Sequence, residues 1–255
     1  MADNPRILLI QAREAGDPMA EHEREAFAGR CELPVECFSA FNIARQPLQE
    51  FSAEGFDALM VGGSGAFSLV EGGFDWHEDF LSLTRRILAM RMPVFASCFG
   101  FQAIVQALGG ELAKDPARAE LGTHVVTLTE EGRVDPLFGD LPPVFDAQFG
   151  HNDSAIRLPD ELIHLASTER CPYQAIRVRG CPVVATQFHP ELNRSGNLDR
   201  FRNYLKNYQQ PGHSYEEAMA HAESIHRETP HACGLLHSFV ADLRVRRRGV
   251  TGAAE

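Results

Sequence analysis

The sequence predicts an α/β protein with a mostly parallel central sheet flanked by helices. Short apolar segments alternate with amphipathic helical segments through the first 110 residues, which is typical of parallel strands joined by crossover helices. After about residue 120 the pattern changes to closely spaced strand-like segments separated by turns. We therefore expect a smaller, partly antiparallel layer after the parallel half, followed by C-terminal helices.

The first half is expected to alternate strictly between strands and helices. The predicted strands are Arg6–Gln11, Val35–Ser39, Ala58–Val61 and a strand that ends near Phe95. The predicted helices are Pro18–Ala28, Asp75–Met92 and a third that follows Cys98 and ends at Gly109–Gly110. This order favours a sheet whose strands run parallel and whose functional residues lie at the strands' carboxyl ends.

The second half contains shorter spacings and more turn residues. The predicted strands are His124–Thr129, Val144–Phe149, Ile163–Ser167, Gln174–Arg179 and Val183–Phe188. The predicted helices are Asn197–Asn207, Tyr215–Arg227 and Ala232–Val245. A break at Gln209–Gly212 divides a main domain, residues 1–207, from a helical extension, residues 208–255, that we expect to pack on it. The end of the chain, from Arg246 to Glu255, is expected to be frayed.

Composition narrows the class of protein. The 255 residues are 44% hydrophobic and 23% charged, as in ordinary globular domains, and the net charge of −11 argues against a nucleic-acid or anionic-membrane surface. No apolar run is long enough to span a membrane, and the N-terminus lacks a secretory signal pattern. The six cysteines are scattered, which favours a reducing cytoplasm over a disulfide scaffold.

Cys98 lies where a strand is expected to turn into a helix. The following apolar residues share one helix face: Phe101, Ile104, Val105 and Leu108. Gly100 allows a tight turn, so the cysteine occupies the position of a nucleophile elbow. The helix N-terminus should lower the pKa of the thiol and place backbone N–H groups beside the sulfur.

A base and its orienting carboxylate are expected at the end of a later strand. Pro190 breaks the strand Val183–Phe188, so His189 and Glu191 should lie on the loop that follows. A cysteine nucleophile needs an imidazole to take its proton, and the imidazole needs a carboxylate to hold its orientation. Cys98, His189 and Glu191 together therefore favour nucleophilic catalysis over three separate structural residues.

Four motifs, in this order, resemble those of the class I, triad-type glutamine amidotransferases. They are Val61–Gly65, the Cys-Phe-Gly-Phe-Gln segment at 98–102, Gly150–Asp153 and the Gln-Phe-His-Pro-Glu segment at 187–191. The third motif is similar to a segment of the guanylate synthase branch, and the resemblance covers roughly residues 5–207. The resemblance implies a flavodoxin-like three-layer fold. Within the family, the chain most resembles the stand-alone proteins that are similar to the amidotransferase domain of GMP synthase. Ala96 stands where the family usually has glycine.

The resemblance also implies a reaction and its site. The γ-amide of L-glutamine would be hydrolysed through a thioester on Cys98, with His189 as base and Glu191 as its orienting carboxylate. Backbone N–H groups of Gly63 and Phe99 would form the oxyanion hole, and Gln102 and His151 would contact substrate. No metal or organic cofactor is required, and the C-terminal histidines lack the spacing of metal ligands.

Two other functions remain open at this stage. The same triad would serve a peptidase that acts on γ-glutamyl conjugates, with Phe67, Phe74 and Trp76 as candidate walls of its pocket. A non-catalytic binding module of the same fold is the alternative from a different class. Nothing after residue 207 resembles an ATP-binding loop, so an ammonia-consuming synthase would have to be a separate subunit.

Overall fold

The computed structural model describes residues 4–205 and 214–251, with side chains up to Arg246 in the last helix. Its strands are β1 Ile7–Gln11, β2 Phe38–Asn42, β3 Ala58–Val61, β4 Val94–Ser97, β5 Glu111–Lys114, β6 Glu120–Leu128, β7 Val144–His151, β8 Asp153–Arg157, β9 Leu162–Ser167, β10 Ala175–Val178 and β11 Val183–Thr186. Its α-helices are α1 Met19–Cys31, α2 His77–Met90, α3 Phe99–Ala107, α4 Glu130–Arg133, α5 Arg194–Asn203, α6 Tyr215–Ile225 and α7 Pro230–Thr251.

Nine strands form one sheet in the order β2–β1–β3–β4–β11–β10–β9–β6–β7. The first five of these run parallel, and the remaining neighbours pair antiparallel. The α/β fold class is confirmed. The predicted antiparallel strands mostly extend the main sheet rather than form their own layer, because β10 pairs directly with β11 through Ala175 and Thr186. The separate antiparallel sheet contains β5 and β8.

The sheet has a hydrophobic core on each face. In β1, Ile7 and Leu9 join the core that contains α1 and α7, whereas Leu8 and Ile10 join the core that contains α2 and α3. This alternation follows from the two-residue period of a strand. Helices therefore cover both faces of the parallel half, which gives three layers.

The C-terminal helix α7 belongs to one of these cores. The ring of Phe239 lies 5.7 Å from the ring of Phe95 on β4, and Leu236 and Val240 are fully buried. The expected boundary at residue 207 and the Gln209–Gly212 break lie outside the described residues. Among the described helices, none is long and apolar enough to cross a membrane.

Local differences from the expected elements have simple causes. Val35–Cys37 is a short 3-10 helix after Pro34, and β2 begins at Phe38, which pairs with Ile7. Strand β5 has two exposed ends and no apolar alternation, so no sequence pattern predicted it. Helix α7 continues to Thr251, past the expected fraying point at Arg246, and residues 252–255 lie outside the described range.

Candidate active site

The strand–turn–helix corner expected at Cys98 is present. Strand β4 ends at Ser97 and helix α3 begins at Phe99, which leaves Cys98 between them with φ 48° and ψ −98°. A non-glycine residue in this region costs about 1–3 kcal/mol, so the surrounding structure must hold it. The N–H of Cys98 donates to the carbonyl oxygen of Thr186 on the neighbouring strand across 2.7 Å.

The sheet brings His189 to the same end as Cys98. Strands β4 and β11 are parallel neighbours in which Ser97 pairs with Thr186, so their carboxyl ends lie side by side. Gly63, which follows β3, lies between the two side chains. A Cβ added to Gly63 would stand 2.9 Å from Cε1 of His189 and 3.6 Å from Cβ of Cys98.

His189 and Glu191 form a buried hydrogen-bonded pair. Nδ1 of His189 lies 2.8 Å from Oε1 of Glu191, and both side chains are nearly inaccessible to solvent. Burial lowers the pKa of His189, while Glu191 acts in the opposite direction. Burial alone would raise the pKa of Glu191, but His189 and Arg200 outweigh it and hold that pKa at about 2. The carboxylate is therefore charged at neutral pH and orients the imidazole.

The thiol of Cys98 differs from the sequence-based expectation. Burial, with a smaller contribution from Glu191, raises its pKa to about 12, although the helix N-terminus alone was expected to lower it. Because the pKa of His189 is lowered, the resting pair is a neutral thiol and a neutral imidazole. Such a pair reacts when the imidazole removes the thiol proton during attack, rather than from a preformed thiolate.

A buried network of ion pairs lies behind His189. Nη1 of Arg200 is 3.1 Å from Oε1 of Glu191 and 3.2 Å from Nδ1 of His189. Its Nη2 is 3.4 Å from Oε1 of Glu23, which also pairs with Arg13 across 2.6 Å. Neither Arg200 nor Glu23 belongs to a recognisable sequence motif, and their contact joins helices far apart in the chain.

The two expected oxyanion donors differ in whether they already donate a hydrogen bond within the protein. The N–H of Gly63 donates to Oε1 of Glu23 across 3.1 Å. Within the described ranges, the N–H of Phe99 donates to no protein acceptor, whereas the next N–H, of Gly100, donates to Gly62. Phe99 therefore offers a free donor beside the sulfur, and Gly63 offers one only after Glu23 releases it.

An open, mostly polar pocket of about 290 Å³ leads to Cys98. The predicted residues Cys98, Phe99, Gln102 and His151 line it. Other lining residues come from three segments, namely Ser64–Ser68 with Glu71, Lys114, and Gly150 with Asn152 and Asp153. Of the three aromatic residues suggested as walls, Phe67 lines the pocket, and Phe74 and Trp76 pack against its ring.

Gln102 and His151 are both held by internal hydrogen bonds. Nε2 of Gln102 donates to the backbone oxygen of Asp153 across 3.0 Å. The ring nitrogens of His151 lie 3.0 Å from that same backbone oxygen and 3.1 Å from Oε2 of Glu120. Since both ring nitrogens of His151 face internal acceptors, its ring supports the pocket wall and the segment that carries Asp153.

Asp153 ends the third sequence motif, Gly150–Asp153, and no role was assigned to it from the sequence. Its Oδ2 accepts a hydrogen bond from Oγ of Ser68 across 2.5 Å. Its Oδ1 is buried and has no hydrogen-bond partner among the described residues. A buried carboxylate oxygen without a donor is costly, so this atom is a candidate acceptor for a cationic group of a ligand.

One other cluster has the residue types of a metal site. The donor atoms of Glu120, His151 and Cys171 lie within 4.8 Å of one another. The sulfur of Cys171 donates to the carbonyl oxygen of Arg118, and Glu120 accepts from Thr168 and faces His151. Because each of these atoms already has a protein partner, hydrogen bonding accounts for the cluster.

Comparison with known proteins shows the family to which the chain belongs. The family model "Glutamine amidotransferase class-I" matches residues 33–205, more than half of the chain. The GMP synthase [glutamine-hydrolyzing] of Thermosipho africanus is 34% identical over 114 residues, which cover 45% of this chain and 21% of that protein. The corresponding protein of Vibrio atlanticus is 28% identical over 178 residues, which cover 69% of this chain and 32% of that protein. The chain thus spans about a fifth to a third of the length of these curated relatives.

Solved structures show the same fold. A glutamine amidotransferase from Thermotoga maritima has a TM-score of 0.66 at 19% identity, covering 95% of this chain and 99% of that one. A glutamine amidotransferase from Methylobacillus flagellatus has a TM-score of 0.61 at 19% identity, covering 95% and 91%. On the family match, the chain belongs to the class-I glutamine amidotransferases.

Proposed function

We propose that this protein hydrolyses the γ-amide of glutamine to glutamate and ammonia, with Cys98 as nucleophile, His189 as base and Glu191 as orienting carboxylate. The observation that carries the proposal is the strained backbone of Cys98, which lines the polar pocket and lies near the buried His189–Glu191 pair. A strained residue at such a position is expected at a reactive centre. Membership of a glutamine amidotransferase family supports the same substrate.

Substrate binding depends on the charge of the pocket. The α-ammonium group of glutamine would pair with Oδ1 of Asp153, the buried oxygen without a protein donor. Ser68 and the backbone contacts of Gln102 and His151 keep that carboxylate segment in place. With the α-ammonium held there, the side chain of glutamine would extend toward Cys98, which lines the same pocket.

Attack begins from the neutral pair. Nε2 of His189 takes the proton of the Cys98 thiol as the sulfur bonds to the amide carbon. The charge that develops on the amide oxygen would be stabilised by the N–H of Phe99, and by the N–H of Gly63 once it leaves Glu23. Each donor of this kind is worth about 10²–10³ in rate.

Three proton transfers complete the turnover. The imidazolium of His189 gives its proton to the departing nitrogen, so that ammonia leaves and a γ-glutamyl thioester remains on Cys98. A water molecule then loses a proton to His189 and attacks the thioester carbon. The sulfur departs and regains the proton, which releases glutamate and restores the resting pair.

The ammonia acceptor would be a separate subunit. The curated relatives are named GMP synthases, which supports an ammonia-consuming partner of that kind. We infer that a distinct synthase protein consumes the ammonia, and that both act in the cytoplasm, as the scattered free cysteines favour.

The test is glutamate release by the purified protein from L-glutamine and from γ-glutamyl dipeptides. Glutamine turnover that Cys98→Ala abolishes and the matched change Cys181→Ala leaves intact supports the proposal. Turnover of dipeptides alone would identify a γ-glutamyl peptidase instead. If neither is cleaved, with or without a co-expressed synthase, and a γ-glutamyl electrophile does not label Cys98, the catalytic assignment is wrong.

A further inference from the structure

Arg200 is a buried cation in direct contact with the candidate base. It lies on helix α5, is 7% exposed, and points its guanidinium at the His189–Glu191 pair. It does not line the pocket that leads to Cys98. A single oxygen of Glu191, Oε1, lies within hydrogen-bond distance of both Nδ1 of His189 and Nη1 of Arg200. None of the sequence motifs includes this residue.

The chemistry of a guanidinium makes this contact consequential. A guanidinium only donates hydrogen bonds and keeps its charge at any pH used for an assay. When Nδ1 of His189 carries a proton and donates it to Glu191, Nη1 of Arg200 stands 3.2 Å away as a second positive group. Arg200 therefore opposes the imidazolium form while it shares the oxygen that stabilises that form.

Glu23 partly neutralises Arg200 and so weakens its effect on the imidazolium form of His189. Its Oε1 lies 3.4 Å from Nη2 of Arg200 and makes no hydrogen bond with His189 or Glu191. Glu23 in turn receives two nitrogens of Arg13 and Nε2 of Gln11, so its position is fixed. Two carboxylates thus hold the guanidinium between them, one beside the base and one behind it.

We propose that Arg200 is a positioning residue that, held by Glu23, sets how readily His189 accepts a proton during glutamine hydrolysis. The inference rests on the proposed function for its catalytic meaning, although the electrostatic part concerns the imidazole alone. The charged groups that act on the base are Glu191 on its own loop, Arg200 on α5 and Glu23 on α1. Cys98 lies at the neighbouring strand end, and Arg13 and Asp153 act on its thiol.

The two partners of this arrangement should act in opposite directions. Arg200→Gln leaves Glu191 to stabilise the imidazolium unopposed, so the pKa of His189 rises and the acid limb of kcat/KM moves up by about one pH unit. Glu23→Gln removes a negative charge from beside Arg200, so the guanidinium disfavours the imidazolium more strongly. The pKa of His189 therefore falls, and the acid limb of kcat/KM moves to lower pH by about half a unit. Arg200→Lys keeps the charge and should leave the limb near its wild-type position.

The experiment measures kcat/KM for glutamine against pH and, in parallel, titrates the His189 ring by NMR in the free protein. The His189 signal is identified by its loss in His189→Asn. The matched control is Arg177→Gln, which removes a guanidinium from another ion pair, with Asp135, in a different part of the sheet. The control should shift neither the His189 titration nor the pH limb.

Opposite shifts in Arg200→Gln and Glu23→Gln, with Arg200→Lys near wild type, support the proposal. Unchanged titration, or shifts in the same direction, overturns it and leaves Arg200 a structural residue. If Arg200→Gln does not fold, Glu23→Gln still gives a signed result. Because the NMR titration needs no turnover, failure of wild-type glutamine hydrolysis would count against the proposed function alone.

Discussion

The backbone N–H of Gly63 donates a hydrogen bond to Oε1 of Glu23, 3.1 Å away. A Cβ on the preceding Gly62 would lie 2.3 Å from that same oxygen, so the carboxylate rests directly on the loop after β3. The loop that is expected to supply an oxyanion donor is thereby tied to the same ionic network that contacts His189 and Glu191.

Gly63→Ala should reduce kcat/KM for glutamine by about a hundredfold, because small displacements of reacting groups cost about that much. The new Cβ would lie 2.9 Å from Cε1 of His189, so the imidazole must move away from Cys98. The matched change Gly29→Ala, in helix α1 with nothing within 4 Å of the added carbon, should leave activity unchanged. Steady-state kinetics of both variants checks this, and a Gly63→Ala enzyme within twofold of wild type would contradict it.

The raised pKa of Cys98 predicts slow alkylation of the free protein. With a thiol pKa of about 12, the thiolate fraction below that pH falls about tenfold for each unit of pH. The rate of iodoacetamide labelling at Cys98, followed by mass spectrometry of its peptide, should therefore rise about tenfold per pH unit between pH 7 and 10. A short cysteine peptide blocked at both ends, with an ordinary thiol pKa near 8.5, serves as the reference that levels off.

A labelling rate at Cys98 that levels off near neutral pH would contradict the raised thiol pKa. It would mean that a thiolate–imidazolium pair exists before substrate binds, and that the N-terminus of helix α3 outweighs burial. That outcome would restore the expectation drawn from the sequence alone.

The residues that sequence reasoning could find are those set by local pattern. Cys98 stands out because an apolar strand, a glycine and an amphipathic helix surround it, and His189 because Pro190 ends a strand beside it. Strand pairing then brings the two together, and the register of β4 with β11 follows from burial on both faces.

The residues that sequence reasoning missed depend on contacts between distant segments. Arg200 and Glu23 are 177 positions apart, and a charged residue on a helix normally predicts a solvated surface rather than a buried pair. Asp153 belongs to the third sequence motif, but that motif does not reveal that its Oδ1 is buried without a donor. Burial of charge is a tertiary property, and no local spacing encodes it.

Phe239→Ala tests whether helix α7 is part of the main cooperative unit. The Phe239 ring is 6% exposed and packs edge-on against Phe95, the strand residue three positions before Cys98. We expect the free energy of unfolding, measured by urea denaturation, to fall by about 3–5 kcal/mol in a single transition. Val245→Ala, in the same helix but 67% exposed, should change it little. A separate early transition that involves only the C-terminal helices would show an independent unit.

Asp153→Asn tests the proposed contact with the α-ammonium group. The change keeps the shape that accepts from Ser68 and removes the negative charge, so KM for glutamine should rise about 10- to 100-fold, the worth of one charge-assisted hydrogen bond. We expect kcat to change less, because the group is remote from the amide. The matched control is Asp146→Asn, in strand β7 and paired with Arg227 at the surface, which should leave KM unchanged.

Glutaramate, which lacks the α-ammonium, supplies the decisive comparison. The wild type should discriminate strongly between glutamine and glutaramate, and Asp153→Asn should lose that preference, whereas equal discrimination by both proteins would place the ammonium elsewhere in the pocket.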